Sequence, residues 1–331
     1  MLDQRRVVGL AISLTLPASV LAFGAVGHMT VGTVADQLIA GTNTAKQVRK
    51  ILGTNLRTAS VWADCAKGVS DKAFVYGGDG KYQECAVYEN DASKAQMVVY
   101  VKRNATNCDR PPGAEICHKQ YHYTDVAVQQ AAYKVGLIGT SDHDIVSAIS
   151  AAIAVLKGEP SPAPFRVNSK REALRILSHF VGDIHQPLHV AAVYLNAQGQ
   201  IIDPDKGTVD PATETRGGND ILKGSTKLHA LWDGVPAALN ADKLLPDALE
   251  EARAVPLTPG PMSEWSQSWA TETLGKGKKA FQDLTYSEED PAHHYTVTLP
   301  PGYTALRGDV QRTQILRAGA RLAQILTSIW P

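Results

Sequence analysis

The stretch Leu177-Ser-His-Phe-Val-Gly-Asp-Ile-His-Gln-Pro-Leu-His189 decides how this chain is read. His179 and Asp183 stand four residues apart, so on a helix they share one face and can converge on a single ion. Upstream, Asn168 to Leu177 has the pattern of an amphipathic helix with Leu174, Ile176 and Leu177 on its apolar side. Pro187 then turns the chain and brings His189 back toward the helix end. The same spacing also suits an ordinary surface ion pair, so the remaining residues must separate the two readings. Leu228-His-Ala-Leu-Trp-Asp233 repeats the geometry with His229 and Asp233, and His122-Tyr-Thr-Asp125 adds a pair three apart. Gly27-His28 and Trp62-Ala-Asp64 supply one more imidazole and one more carboxylate. Imidazole nitrogen with carboxylate oxygen is a donor set suited to zinc, and a mixed set spread along a chain suits a hydrolase with several metal ions.

Composition narrows the class. The chain has 331 residues, 44% hydrophobic and 20% charged, as an ordinary globular protein does. Lys plus Arg and Asp plus Glu both number 33, so no basic field marks a nucleic-acid binder and a polyanionic substrate would have to be attracted locally. Arg5 and Arg6, the apolar run Val7 to Ala22 and the small-residue end Val20-Leu-Ala22 read as a secretory signal over 1–22, cleaved before Phe23; an uncleaved anchor is the alternative. No later run reaches the roughly 18 apolar residues of a membrane span, so the mature chain is expected free of a membrane anchor, periplasmic or secreted. Four cysteines in an exported chain favour two disulfides among three possible pairings. Cys108 and Cys117 flank a Pro-Pro-Gly turn, which favours that bridge and leaves Cys65 with Cys85. No Cys-x2-Cys spacing is present to suggest thiolate zinc.

Helical signals dominate. Helices are expected over Val26–Ala40, Thr44–Leu52, Ser141–Lys157 (Ser141 as N-cap, Gly158 as stop), Asn168–Asp183, Ser225–Leu239, Ala241–Ala254, Ser263–Leu274 and Gly308–Ile329. Short β-like pieces, Met97 to Lys102 among them, suggest a small hairpin, and Arg103–Lys119 and Asn196–Arg216 read as long loops. With no repeat and no convincing linker, the expectation is a mainly α chain: one compact helical domain over 23–331, with a small β-hairpin and long loops.

Taken in order, the motifs resemble one family. An N-terminal aromatic before Gly-x-x-Gly-His28 is followed by Trp-Ala-Asp64 and His122-x-x-Asp125. Then come His179-Phe-x-Gly-Asp183-x-x-Gln-Pro-Leu-His189, Gly-Gly-Asn219 and Leu-His229-x-x-Trp-Asp233. The mature chain is similar throughout to the zinc-dependent single-strand-specific nucleases and 3′-nucleotidases of fungi, plants and bacteria, which share a superfamily with zinc phospholipase C. The resemblance implies three zinc ions. Asp64, His122, His179 and Asp183 would hold one, and His189, His229 and Asp233 a second. The third would take His28, Asp183 as a bridge, and the amino group and carbonyl oxygen of Phe23, where the family usually has Trp. Three such ions against three carboxylates make a cationic pocket in a neutral protein, suited to a phosphate ester.

The same resemblance implies metal-assisted hydrolysis of single-stranded DNA, RNA and 3′-nucleotides, and the chain is expected to be a monomer. Asp125 would orient the attacking water; the alternative makes it a carboxylate that only holds His122. Lys67 stands where relatives often place a phosphate-neutralising Arg, and a lysine cannot make the bidentate contact. Tyr123 would stack a base and Asn219 would bond its edge, the alternative being a core aromatic and a turn residue. His118, His143, His185, His293 and His294 match no ligand position. Two other functions compete: a phospholipase C, whose ligand series ends in Glu where this chain has Asp233, and a zinc-binding protein without activity.

Overall fold

The computed structural model describes residues 23–110, 114–208, 210–239, 241–242 and 244–331, so the expected leader over 1–22 lies outside the described residues. Helices carry the architecture: α1 (Gly24–Leu38), α2 (Asn43–Leu52), α3 (Leu56–Ala59), α4 (Trp62–Ala66), α5 (Asp91–Arg103), α6 (Cys117–Gln120), α7 (Ile145–Lys157), α8 (Lys170–Asp183), α9 (Leu228–Trp232), α10 (Pro246–Arg253), α11 (Trp265–Phe281) and α12 (Tyr303–Ile329). The β structure is slight. β1 (Val126–Ala127) pairs in parallel with β2 (Ala191–Ala192), and β3 (Tyr194–Leu195) forms a hairpin with β4 (Ile201–Ile202). The strands β5 (Ile221–Lys223), β6 (Thr226–Lys227), β7 (Thr285–Tyr286) and β8 (Tyr295–Thr298) form a sheet in the order β6-β5-β8-β7. The mainly α class is as expected, but the hairpin lies at 194–202, at the edge of the expected loop Asn196–Arg216, and not around Phe74 to Lys102.

α8 is the hub, packed against α1, α2, α3, α4, α7 and α12. Ser169 caps its start by accepting from the Glu172 N–H at 3.1 Å. Its last eight residues, Ile176 to Asp183, are all buried. A helix covered on every side must bury whatever its polar residues are, so His179 and Asp183 are taken out of water by the fold itself. α1 lies between α8 and α12, and the close approach to α12 occurs at Gly319, where an added Cβ would sit 2.5 Å from Val34.

Several expected boundaries move, each for a physical reason. Met97 to Lys102 is helical, not strand: Asn90 caps α5 by accepting from the Ser93 N–H at 3.0 Å, and Met97, Tyr100 and Val101 bury one face at helical spacing. Asp144 replaces Ser141 as the cap of α7, because its Oδ1 accepts from Val146 and Ser147 while its Oδ2 accepts from the Tyr133 hydroxyl at 2.7 Å. The expected helix from Ser225 opens as β6, runs as helix only over Leu228–Trp232, and stops before Gly234 and Pro236. α10 starts at Pro246, not Ala241. α11 continues past Gly275 to Phe281, and its second glycine, Gly277, lets the helix pack on Ala191, whose side chain leaves no room for a Cβ. Both favoured disulfides are present, Cys65–Cys85 and Cys108–Cys117.

Candidate metal centre

Five segments meet around the C-terminal end of α8. α1 brings His28, α4 brings Asp64, and the chain after α6 brings His122. A tight turn over Pro187–His189 brings His189, and α9 brings His229 with Asp233 at its C-cap. The parallel β1–β2 pairing, with Thr124 N–H donating to the His189 carbonyl at 2.9 Å, fixes the His122–Asp125 segment beside His189. Cys65 ties α4 to the turn at Cys85, and Cys117 ties α6 back to Cys108, so a covalent staple stands close in sequence to Asp64 and to His122.

The side chains form two overlapping groups on one side and a third on the other. His28, Asp64 and His179 lie together, as do His122, His179 and Asp183, while His189, His229 and Asp233 form the third, donor atoms within 4.8 Å in each. Asp183 links them: Oδ1 is 3.2 Å from His28 Nε2, Oδ2 is 2.9 Å from His122 Nδ1 and 3.1 Å from His179 Nε2, and His189 stands 3.6 Å away. His229 Nε2 is 3.2 Å from His189 Nε2 and 3.7 Å from Asp233 Oδ1. Three of the imidazoles are oriented alike. Nδ1 of His179, His189 and His229 donates to the carbonyls of Ser60, His122 and Gly217 at 2.6, 2.9 and 2.8 Å, which leaves each Nε2 lone pair facing the cluster. Gly182 makes room for His28, whose Nδ1 would lie 2.8 Å from an added Cβ. Gly217, at φ 57°, passes so close to the Leu188 carbonyl that no side chain fits.

Burial and charge compete throughout. Burial pushes the Asp183 carboxyl up, but His179, His189 and His28 outweigh it and hold it well below the usual range. Asp64 is likewise lowered against burial by Lys67, His179 and His122. Burial, with Lys67 nearby, drives His122 down to about 3, and burial drives His189 to about 3. Burial lifts Asp233 to about 6. His179 goes the other way, raised against burial by Asp183 and Asp64, so a divalent metal would have to displace its proton, whereas His122 and His189 are already neutral as metal ligands must be. Both ring nitrogens of His28, Oδ1 of Asp183 and Oδ2 of Asp233 are buried without a hydrogen-bond partner, a costly arrangement that bound cations would relieve. The residues fit metal ions on these grounds.

The remaining expected residues fall around this cluster. Lys67 Nζ is 2.8 Å from Asp64 Oδ1 and is raised by that carboxylate, against burial. Asp125 is buried and bonded through its carboxyl to Glu214; burial and then Glu214 raise it well above the ordinary range. The His122 ring bonds instead to Asp183 and His179, so the alternative role for Asp125, holding that ring, has no hydrogen bond behind it among the described residues. Tyr123 is half-buried with its hydroxyl toward Glu115, and Asn219 is half-buried with its amide on the Arg216 carbonyl at 2.9 Å. Phe23 is fully buried; its N donates to Asp233 Oδ1 at 3.2 Å and its carbonyl accepts from Gly27. His185 points away, donating from Nδ1 to the Val181 carbonyl and accepting from Arg321. Two residues escaped the sequence reading: Gln186, which donates to Asp233 Oδ1 at 2.8 Å, and Glu214. Gln186 lay in plain sight between Asp183 and His189; nothing local marks Glu214.

Comparison with known proteins agrees with this geometry. The model of the S1/P1 nuclease family matches residues 23–331. Endonuclease 1 of Arabidopsis thaliana is 26% identical over 236 residues, spanning 63% of this chain and 68% of that protein. Endonuclease 4 of the same plant is 28% identical over 174 residues, spanning 48% of this chain and half of that protein. With a family match over nearly its whole length and a buried cluster of imidazoles and carboxylates at its centre, the chain belongs to the S1/P1 nuclease family.

Proposed function

We propose that this chain is a zinc-dependent phosphodiesterase that cleaves single-stranded DNA and RNA to 5′-phosphorylated products and also removes the phosphate of 3′-nucleotides. The observation that carries the reading is Asp183: one buried carboxylate shared among His28, His122 and His179, with the His189 group adjoining. Asp64, His122, His179 and Asp183 would hold one zinc, His189, His229 and Asp233 a second, and His28, Asp183 and the main-chain atoms of Phe23 a third. Bound zinc supplies a Lewis acid that activates water near neutral pH and stabilises charge on phosphorus and the departing oxygen.

The chain's own groups orient and select. Asp125, within the carboxyl pair it forms with Glu214, positions water and takes or returns its proton at the carboxylate oxygen. Lys67 places a point charge near the phosphate while steadying Asp64. Tyr123 offers a flat face to a base and Asn219 an amide to its edge, which favours single strands because a paired base must first be unstacked. Residues 1–22 would be a secretory signal removed after Ala22, freeing the Phe23 amine and releasing the domain over 23–331 outside the cytoplasm.

Metal analysis of the mature protein joined to assays on single-stranded DNA, RNA, 3′-AMP and phosphatidylcholine tests the reading. Three zinc ions per chain with hydrolysis of the first three substrates is expected. Phosphatidylcholine hydrolysis alone would replace it with a phospholipase, and zinc-loaded protein inert on all four would leave only metal binding.

A further inference from the structure

Away from the metal cluster, a cavity of about 560 Å³, part apolar and part cationic in its lining, opens between α11, α12 and the loop 255–259. None of the residues that would hold zinc lines it. Four cations do: Lys276 and Lys279 from α11, Arg317 and Arg321 from α12; the carboxylate facing them is Glu272. Glu272 is engaged by Arg321 Nη2 at 2.6 Å and Arg317 Nη1 at 3.5 Å. Neither lysine has an ion-pair partner among the described residues. The formal excess is therefore three positive charges on the wall of one open cavity. Lys276 feels it: burial first, and then Arg317 and Lys279, lower its ammonium below the ordinary range.

Arg321 is the second observation. The side chain is 5% exposed, stacked over Trp269 with its charge 5.3 Å from the ring centre. Nη1 donates to His185 and Nη2 to Glu272, yet Nε is buried with no partner. Stacked on the indole and bonded through both terminal nitrogens, the guanidinium is a fixed positive charge in the cavity wall. The opposite wall is preformed. Thr258 exchanges hydrogen bonds with Gln324 through both its N–H and its carbonyl, at 3.0 and 3.1 Å, and Trp269 donates to its hydroxyl at 2.8 Å. Leu257 stands 76% exposed on that rim, an apolar face opposite the cations.

We infer that this cavity binds a phosphate group, that of a nucleotide or of a nucleic-acid strand, at a site separate from the metal cluster. A guanidinium fork and ammonium groups match tetrahedral anionic oxygens, and the charge excess calls for more than one negative charge. The apolar rim gives the sugar and base a surface. Only the choice of nucleotide rests on the proposed nuclease activity; the phosphate site does not.

Equilibrium dialysis against radiolabelled inorganic phosphate and 5′-AMP tests this on the wild type and on Lys276→Glu/Lys279→Glu. These two side chains lie outside the ion-pair network, and Lys276→Gln/Lys279→Gln is a milder second pair should the first fold poorly. The wild type is expected to bind one phosphate equivalent that the Glu pair binds about tenfold or more weakly, with the Gln pair between them. Hydrolysis of a dinucleotide is expected to be unchanged. If KM for a long single strand also rises in the variants, the strand is the occupant; if only phosphate and 5′-AMP binding falls, the free product is. Equal stoichiometry and affinity in all three proteins would overturn the inference, whether or not the protein proves to be a nuclease.

Discussion

A carbonyl oxygen only accepts, so the three carbonyls that meet Nδ1 of His179, His189 and His229 fix the tautomer of each ring. His28 is held differently, by shape. Gly182→Ala would put a Cβ 2.8 Å from its Nδ1, so the ring must shift. The expected result is a loss of about 1–3 kcal/mol in stability and one zinc fewer by metal analysis, the other two retained. Tyr123→Ala is expected to weaken nucleotide binding by about 1–3 kcal/mol while leaving a base-free phosphate ester unaffected; equal losses on both would remove the stacking role. Acid response follows from the lowered imidazoles. His122 and His189 sit at about 3 in the folded chain against about 6.5 unfolded, so between those values the unfolded state binds more protons. Metal-free protein should therefore lose stability as pH falls from about 6.5 toward 3. Asp233 and Asp144, each raised to about 6, oppose this between about 4 and 6, while the lowered His28 adds to it. Chemical denaturation of the metal-free protein would show a midpoint that falls as the pH is lowered from about 6.5 toward 3.

Among elements, α8 matters most, and much of it was legible. Its apolar face, its cap region and its i, i+4 ligand pair are all local signals carried by Ser169 to Asp183. Met97 to Lys102 misled because a run of valines favours a strand until the Asn90 cap and the buried face of α5 are known. The carbonyl of Ser60 that fixes His179 and the Glu214 that pairs with Asp125 were illegible for a deeper reason. Each meets its partner across a long stretch of chain, and a single acid or a backbone oxygen leaves no pattern. The disulfides give an element-scale prediction. Chain-entropy estimates are about 3 kcal/mol for the Cys65–Cys85 loop of 20 residues and about 2.5 kcal/mol for the Cys108–Cys117 loop of 9. Cys65→Ser/Cys85→Ser should lower the denaturation midpoint more than the other pair, and also weaken zinc at the Asp64 group, read by chelator competition.

For the whole molecule, α1 and α12, the first and last helices among the described residues, share one interface. Val31, Val34 and Ala35 on α1 are fully buried, and Gly319 on α12 lies against Val34. Ending the chain before Gly319 would uncover these side chains, at about 1.5–3 kcal/mol for each valine, a large part of the roughly 5–15 kcal/mol that holds a domain together. Such a truncation is expected to show no cooperative melt by circular dichroism and no bound zinc; a folded, metal-loaded fragment would contradict the dependence. The order of manufacture then matters. His28 leaves the ribosome well before α12, and Gly319 follows Val34 by roughly 285 positions, which takes on the order of 15–60 s at ordinary synthesis rates. Throughout that interval the helix bearing His28 lacks the neighbour that seats it, so a nascent or prematurely ended polypeptide carries the ligands but not the cage.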